Sequence, residues 1–193
     1  MDSYKITLME LSDIQESADV LSIAMLNNPL HIAVFEGSGE EQRLEIKNMF
    51  IELFSNLPSI TFLVKEHKKI VGVMRMKSCA GRNSIDELEE QENEIGIKNR
   101  KAYWLNEWSI RDPNEPHWHL GPIGVLPSHR RLGLGSRLMT RFCEEVDRCN
   151  AKAYLETDLD ENVLFYNKFG FEVVSKSHIF KVENKYMKRK AQI

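Results

Sequence analysis

The segment Val125-Leu126-Pro127-Ser128-His129-Arg130-Arg131-Leu132-Gly133-Leu134-Gly135-Ser136 constrains the fold of this chain more than any other. An apolar run ends in it, two glycines follow, and a helical apolar pattern begins. Leu134, Leu138, Met139, Phe142, Cys143 and Val146 recur on one face, which predicts an amphipathic helix over residues 133–149. A strand that turns this tightly into a helix is an anion cradle. Glycines let the backbone approach a ligand closely, and the free N–H groups of the first helical turn point outward at the positive end of the dipole. Arg130 and Arg131 at the rim add charge-assisted hydrogen bonds. Two other phosphate sites are excluded: a dinucleotide fingerprint needs a third glycine where Leu138 stands, and the Gly-x-x-x-x-Gly-Lys-Ser/Thr loop is absent. A tight turn with purely structural glycines is the plain alternative.

Charge along the chain supports an anion. The formal net charge is −3, against general attraction to nucleic acid or an anionic membrane. Yet residues 116–143 hold no acid, where the chain average would give about four, and carry Arg130, Arg131, Arg137 and Arg141. Six acids crowd into residues 86–94, which reads as a solvated face. Residues 181–193 have five basic residues against Glu183 and read as a basic C-terminal tail. Three scattered cysteines (Cys79, Cys143, Cys149) form no Cys-x-x-Cys pair and suit a reducing cytoplasm. No apolar run approaches the roughly 18 residues of a membrane span, and the first residues lack the apolar core of a secretory signal.

The 193 residues suit one domain, with about 80–115 as a helical insertion. Residues 4–9 predict a strand. Ser12 and Gln15 predict a capped helix to about residue 26, stopped by Asn27-Asn28-Pro29. A helix over 40–55 and a hairpin over 60–65 and 69–77 follow. After a strand at 117–125 and the helix of the turn come a strand at 153–157, a short helix at 162–169 closed by Gly170, and β structure over 172–187. Strands before, between and after helices give an α/β (α+β layered) architecture.

Arg130-x-x-Gly133-x-Gly135, after a strand ending Val125-x-Pro127, resembles the acetyl-CoA signature of the GNAT superfamily of N-acyltransferases. The run Leu155-Glu156-Thr157 and then Asn162-Val163-Leu164-Phe165-Tyr166-Asn167-Lys168-Phe169-Gly170-Phe171 resembles that superfamily's C-terminal motif. The resemblance is sharp over residues 116–174, holds only in element order over 4–76, and gives no counterpart for 80–115. It implies a central mixed, mostly antiparallel sheet, flanked by helices and splayed at the cofactor site. It implies acetyl-CoA as cosubstrate and transfer of its acetyl group to a primary amine of a small molecule or protein. The alternative is an acyl-CoA-binding sensor or partner module without turnover. Neither nucleic acid nor membrane is an expected partner, and the chain is expected to be a monomer or homodimer.

The resemblance also implies residues. Pyrophosphate would rest on Arg130, Arg131, Gly133, Leu134, Gly135 and Ser136, and the pantetheine arm would pair with the backbone from Ile123 to Val125. The family's bulge would accommodate Pro122, which an edge position would also explain. Tyr166 matches the proton donor to the departing sulfur, unless it merely packs on Phe169 and Phe171; Asn162, one helical turn away, would bond the cofactor. His119, eleven residues before Arg130, stands where several members carry a catalytic glutamate and would act as base. His117-x-His119 is also a strand-borne metal pair, but no third ligand is evident nearby, so no metal is expected. The acceptor is expected at residues 27–35 and the insertion. There Trp104, Trp108 and Trp118 fall within 15 residues and either wall a pocket or anchor the insertion, and Glu107 would attract a cationic amine.

Overall fold

The computed structural model of the protein describes residues 3–81 and 96–192. The acidic run at 86–94 lies outside them. The first strand, β1 (Tyr4–Leu8), leads into a short 3-10 turn and then α1 (Ile14–Met25). The cap lies two residues before the expected Ser12: the Glu10 N–H donates to Asp13 Oδ2 at 3.0 Å. Residues 29–35, expected as loop, form α2 (Pro29–Phe35). Asn28 ends one helix and starts the next, because its side chain accepts the His31 N–H at 3.1 Å and Pro29 suits the first helical position. α3 (Glu40–Asn56), β2 (Ile60–Glu66) and β3 (Lys69–Cys79) follow, then α4 (Ile97–Ser109), β4 (His117–Val125) and α5 (Leu134–Arg148). The chain continues through β5 (Ala153–Thr157), α6 (Asp160–Asn167), β6 (Phe171–Ile179) and β7 (Val182–Arg189).

Among the described residues seven strands make one open sheet in the order β1-β2-β3-β4-β5-β7-β6. Every pair is antiparallel except β4 with β5. Helices cover both faces. α1 lies on the face of Gly124, where an added Cβ would sit 3.0 Å from Ala24 Cβ and Leu21 Cδ2. α5 lies on the other face, with Leu134, Leu138, Met139, Phe142 and Val146 buried as their spacing predicted. α4 shares the α1 face, where the Trp108 Nε1–H donates to Asn184 Oδ1 of β7 at 3.4 Å. No single described helix is long and apolar enough to cross a membrane.

Residues 181–193 are no tail over most of their length. β7 is an interior strand between β5 and β6, and its charges are paired within the fold. Arg189 Nη1 and Nη2 donate to the two Asp147 carboxylate oxygens of α5 at 2.5 and 2.9 Å, and Lys185 lies 2.9 Å from Asp160. Sequence reading missed this because the partners lie 42 and 25 residues away.

Candidate active site

β4 and β5 pair at only two described positions, Trp118 with Ala153 and His119 with Tyr154. Beyond them the strands part, so Leu120 to Val125 have β3 on one side and an opening on the other. The cause lies within β4. Met76 pairs with Leu120 and Met74 with Ile123, so Arg75 alone opposes both Gly121 and Pro122. That two-against-one count is a β-bulge, which bends its strand and accounts for the proline. Ile123 and Val125 thus keep their β3 partners and turn their other backbone edge to the opening.

α5 starts directly beyond it. Gly133, at φ 76°, takes the left-handed conformation that caps the helix, and nothing lies within 4 Å of where its Cβ would be. A Cβ on Gly135 would make only an ordinary 3.7 Å contact with Phe165. The N–H groups of Leu134, Gly135 and Ser136 begin the helix, and Arg137 N is the first to close a bond, to Gly133 O. These donors and the clear space beside them fit a pyrophosphate. The four arginines do not act as one block, however. Arg137 donates to Tyr4 O at 3.1 Å, and Arg141 pairs with Glu144 and Glu145 on its own helix. Arg130 and Arg131 remain exposed at the turn, with Arg130 Nη2 also tied to Ala24 O of α1 at 3.0 Å.

Tyr166 of α6 is buried against Phe165 and Phe171, and Phe171 touches Phe142 of α5, so Tyr166 lies on the α5 side. Burial, with the nearby charges of Asp158 and Glu156, raises its pKa well above that of a free phenol. The hydroxyl therefore keeps its proton at neutral pH. Asn162 is engaged locally, its amide donating to Thr157 Oγ1 at 3.1 Å.

His119 lies on the α1 side. Its Nε2 is 2.7 Å from Glu156 Oε2, a partner that sequence reading passed over because it sits on another strand, 37 residues away. Burial disfavours the imidazolium, but the Glu156 carboxylate and Cys79 outweigh it and raise the His119 pKa to about 9. His119 is thus mostly protonated at neutral pH, unlike an isolated imidazole. The premise that no third ligand stands near His117 is corrected. Cys79, Asp112 and His117 bring their ligand atoms within 4.8 Å of one another. Gly81, at φ 93°, makes this possible, since a Cβ there would meet Asn114 O at 2.3 Å and push the Asp112 loop away. The cluster balances its own charge. Against burial, Asp112 at 3.2 Å raises His117 to about 10; burial would raise Cys79, but the neighbouring His117 and His119 lower it to about 6.

The tryptophans do not enclose one space. Trp104 is 3% exposed and packs on His31 and Trp108, with ring centroids 5.2 and 4.9 Å apart. Trp118 alternates with His117 and His119 and so faces the α5 side. Glu107 is ion-paired to Arg111 at 2.7 Å, so its charge is already met.

The description "Acetyltransferase (GNAT) family" matches residues 26–171, which hold both the opening and the cradle. The chain belongs to the GNAT family of acetyltransferases. Its fold agrees. Arylalkylamine N-acetyltransferase 2 from Aedes aegypti superposes with a TM-score of 0.73 at 16% identity, covering 98% of this chain and 99% of that one. A structure described as histone acetyltransferase HPA2 and related acetyltransferase, from Corynebacterium glutamicum, gives 0.72 at 16% identity, covering 98% and 97%. A GNAT family acetyltransferase from Brucella melitensis, solved in complex with acetyl-CoA, gives 0.57 at 14% identity, covering 98% and 89%. This GNAT chain is thus an acyltransferase by family, with the mixed, splayed sheet expected of one.

Proposed function

We propose that this chain transfers the acetyl group of acetyl-CoA to a primary amine by direct attack in a ternary complex. The observation that carries the reading is the opening itself. It separates two parallel strands just before a helix N-terminus, with a protonated phenol on one side and an imidazole–carboxylate pair on the other.

Arg130, Arg131 and the N–H groups of Leu134, Gly135 and Ser136 would hold the pyrophosphate of acetyl-CoA, with Gly133 keeping the space clear. The open backbone edge of Ile123 and Val125 would hold the amide-bearing arm as an added strand. Bound acetyl-CoA supplies an acyl group already activated as a thioester. His119, oriented by Glu156, accepts a proton from the attacking amine at Nδ1, the ring nitrogen turned away from Glu156. Tyr166 gives its phenolic proton to the departing sulfur. Asn162 fixes the start of α6 on Thr157 and so sets the height of Tyr166.

Incubation with acetyl-CoA and a panel of primary amines should release free thiol in step with N-acetylation. Tyr166→Phe should lower kcat by about 100-fold, the lower range for loss of a general acid. Parent-like turnover in that variant removes Tyr166 from the mechanism. Calorimetric binding of CoA without transfer to any amine would instead support a non-catalytic acyl-CoA sensor.

A further inference from the structure

β3 is buried at every position from Ile70 to Met76, and one member of that run is charged. Arg75 is 3% exposed. Its one hydrogen bond among the described residues runs from Nη1 to Gly121 O of the bulge at 3.3 Å, while Nε and Nη2 are buried without a partner. Thr61, its direct cross-strand neighbour on β2, is also buried, with Oγ1 likewise unpartnered. A buried guanidinium keeps its charge and is costly unless an anion meets it. The other buried Lys and Arg side chains, Lys185 and Arg189, meet carboxylates within the chain.

The vacant edge has a definite shape. Nε–H and Nη2–H of a guanidinium are parallel and match the two oxygens of one carboxylate. Arg43 of this protein uses that same edge on Glu40, at 2.8 and 2.5 Å. Arg75 alternates along β3 with Lys77 and Cys79, whose β4 partners are His119 and His117, so its side chain leaves the sheet on the His119–Glu156 face. Gly121 and Pro122 beside it are half-buried at the opening. On that face Glu156 keeps Oε1 buried and unpartnered among the described residues.

We propose that the Nε–Nη2 edge of Arg75, with the Thr61 hydroxyl beside it, binds a carboxylate carried by the acceptor, so that the acceptor is an amino acid rather than a simple amine. The proposal rests on the acetyl-transfer reading above. The acceptor is then a zwitterion whose carboxylate meets Arg75 and whose amino end meets His119 and Glu156. A simple amine would leave the guanidinium desolvated and unmatched, which is how a polar site rejects an analogue lacking the group it binds.

The test pairs each of the twenty amino acids with the amine that lacks its carboxylate, tryptophan with tryptamine and lysine with cadaverine among them. For the accepted side chain, kcat/KM should favour the carboxylated member by about 10- to 100-fold, the range of a hydrogen-bonded charge. Arg75→Gln should collapse that preference toward unity, and Arg75→Lys, which keeps the charge but not the fork, should restore only part of it. Independently of turnover, the Nε–H resonance of Arg75 in [15N]arginine-labelled protein, assigned by its loss in Arg75→Lys, should move with the accepted amino acid and not with its amine. Equal kcat/KM within every pair overturns the proposal. So does an Arg75→Gln variant that slows both members equally at unchanged KM, since the fork would then serve the acyl carbonyl oxygen. Absence of transfer to any acceptor overturns the acetyl-transfer reading instead; the Arg75 resonance then decides alone, and no shift with any amino acid overturns the carboxylate site.

Discussion

An isolated imidazole titrates near pH 6.5, roughly where a proton relay at neutral pH is wanted. His119 does not, because its Nε2 meets the Glu156 carboxylate at 2.7 Å in a buried place. The base form of a group with a pKa of about 9 is scarce at pH 7 and gains about tenfold with each pH unit until pH 9. The rate of acetyl transfer should therefore climb through pH 7 and 8 and level off near 9. Glu156→Gln removes the largest influence that raises His119 and leaves burial, which lowers it, opposed by Cys79. The variant's limb should move down by about two pH units or more, measured with one acceptor throughout so that the amine's own titration is common to both profiles. Superimposable profiles would mean that another group limits the reaction. The same pair shows what a sequence conceals at this scale. Tyr166, Gly133 and His119 were visible because each sits at a fixed offset from a local motif. Glu156, Arg75 and the Cys79–Asp112–His117 cluster were not, since their meaning lies in partners on other strands.

Elements were legible where their signals are local. The period of α5 and the hairpin of β2 and β3 depend on neighbours in sequence and emerged with ends shifted by one or two residues. α2 was missed because Asn28-Pro29 reads equally as a stop and as a start, and the arbiter is distant: Asp158, after β5, accepts the Asn28 amide at 2.7 Å and the Leu30 N–H at 2.9 Å. The glycines show the same division. Gly135 lies in the motif, yet the fold would admit a Cβ there, at 3.7 Å from Phe165. Gly124 lies outside any motif, yet a Cβ would press Ala24 and Leu21 of α1 at 3.0 Å, and Leu21 is fully buried with no room to retreat. Gly124→Val should therefore cost about 1–3 kcal/mol in urea unfolding, the usual penalty for overpacking. Gly135→Ala should cost about 1 kcal/mol or less, so that any loss of CoA affinity in it reports the ligand's side of the cradle. Equal stability of the two variants would contradict the packing of α1 on β4.

At the scale of the molecule, the acid-free segment and the basic C-terminal stretch have similar charge patterns and opposite physical roles. In the first, Arg130 and Arg131 stay exposed at the turn while Arg137 and Arg141 are taken up by the fold. In the second, the alternation of Lys185, Met187 and Arg189 with Asn184, Tyr186 and Lys188 is that of a strand, and composition hid it. Tyr186 and Met187 are fully buried, on opposite faces of the sheet. β7 supplies the only strand partner that β6 has among the described residues, and it pairs with β5 along that strand's whole length. Arg189 further clamps the strand to α5 through Asp147, and α5 starts at the cradle. A solvated tail can be removed at little cost; an interior strand cannot, because its loss uncovers two core faces and leaves β5 with a bare edge where β5 and β4 must diverge. A chain ended after Lys181 should therefore lose cooperative thermal unfolding and CoA binding together, and collect in the insoluble fraction. Soluble, cooperatively unfolding protein from that truncation would contradict the place of β7 in the sheet, and with it the support that holds the two walls of the opening apart.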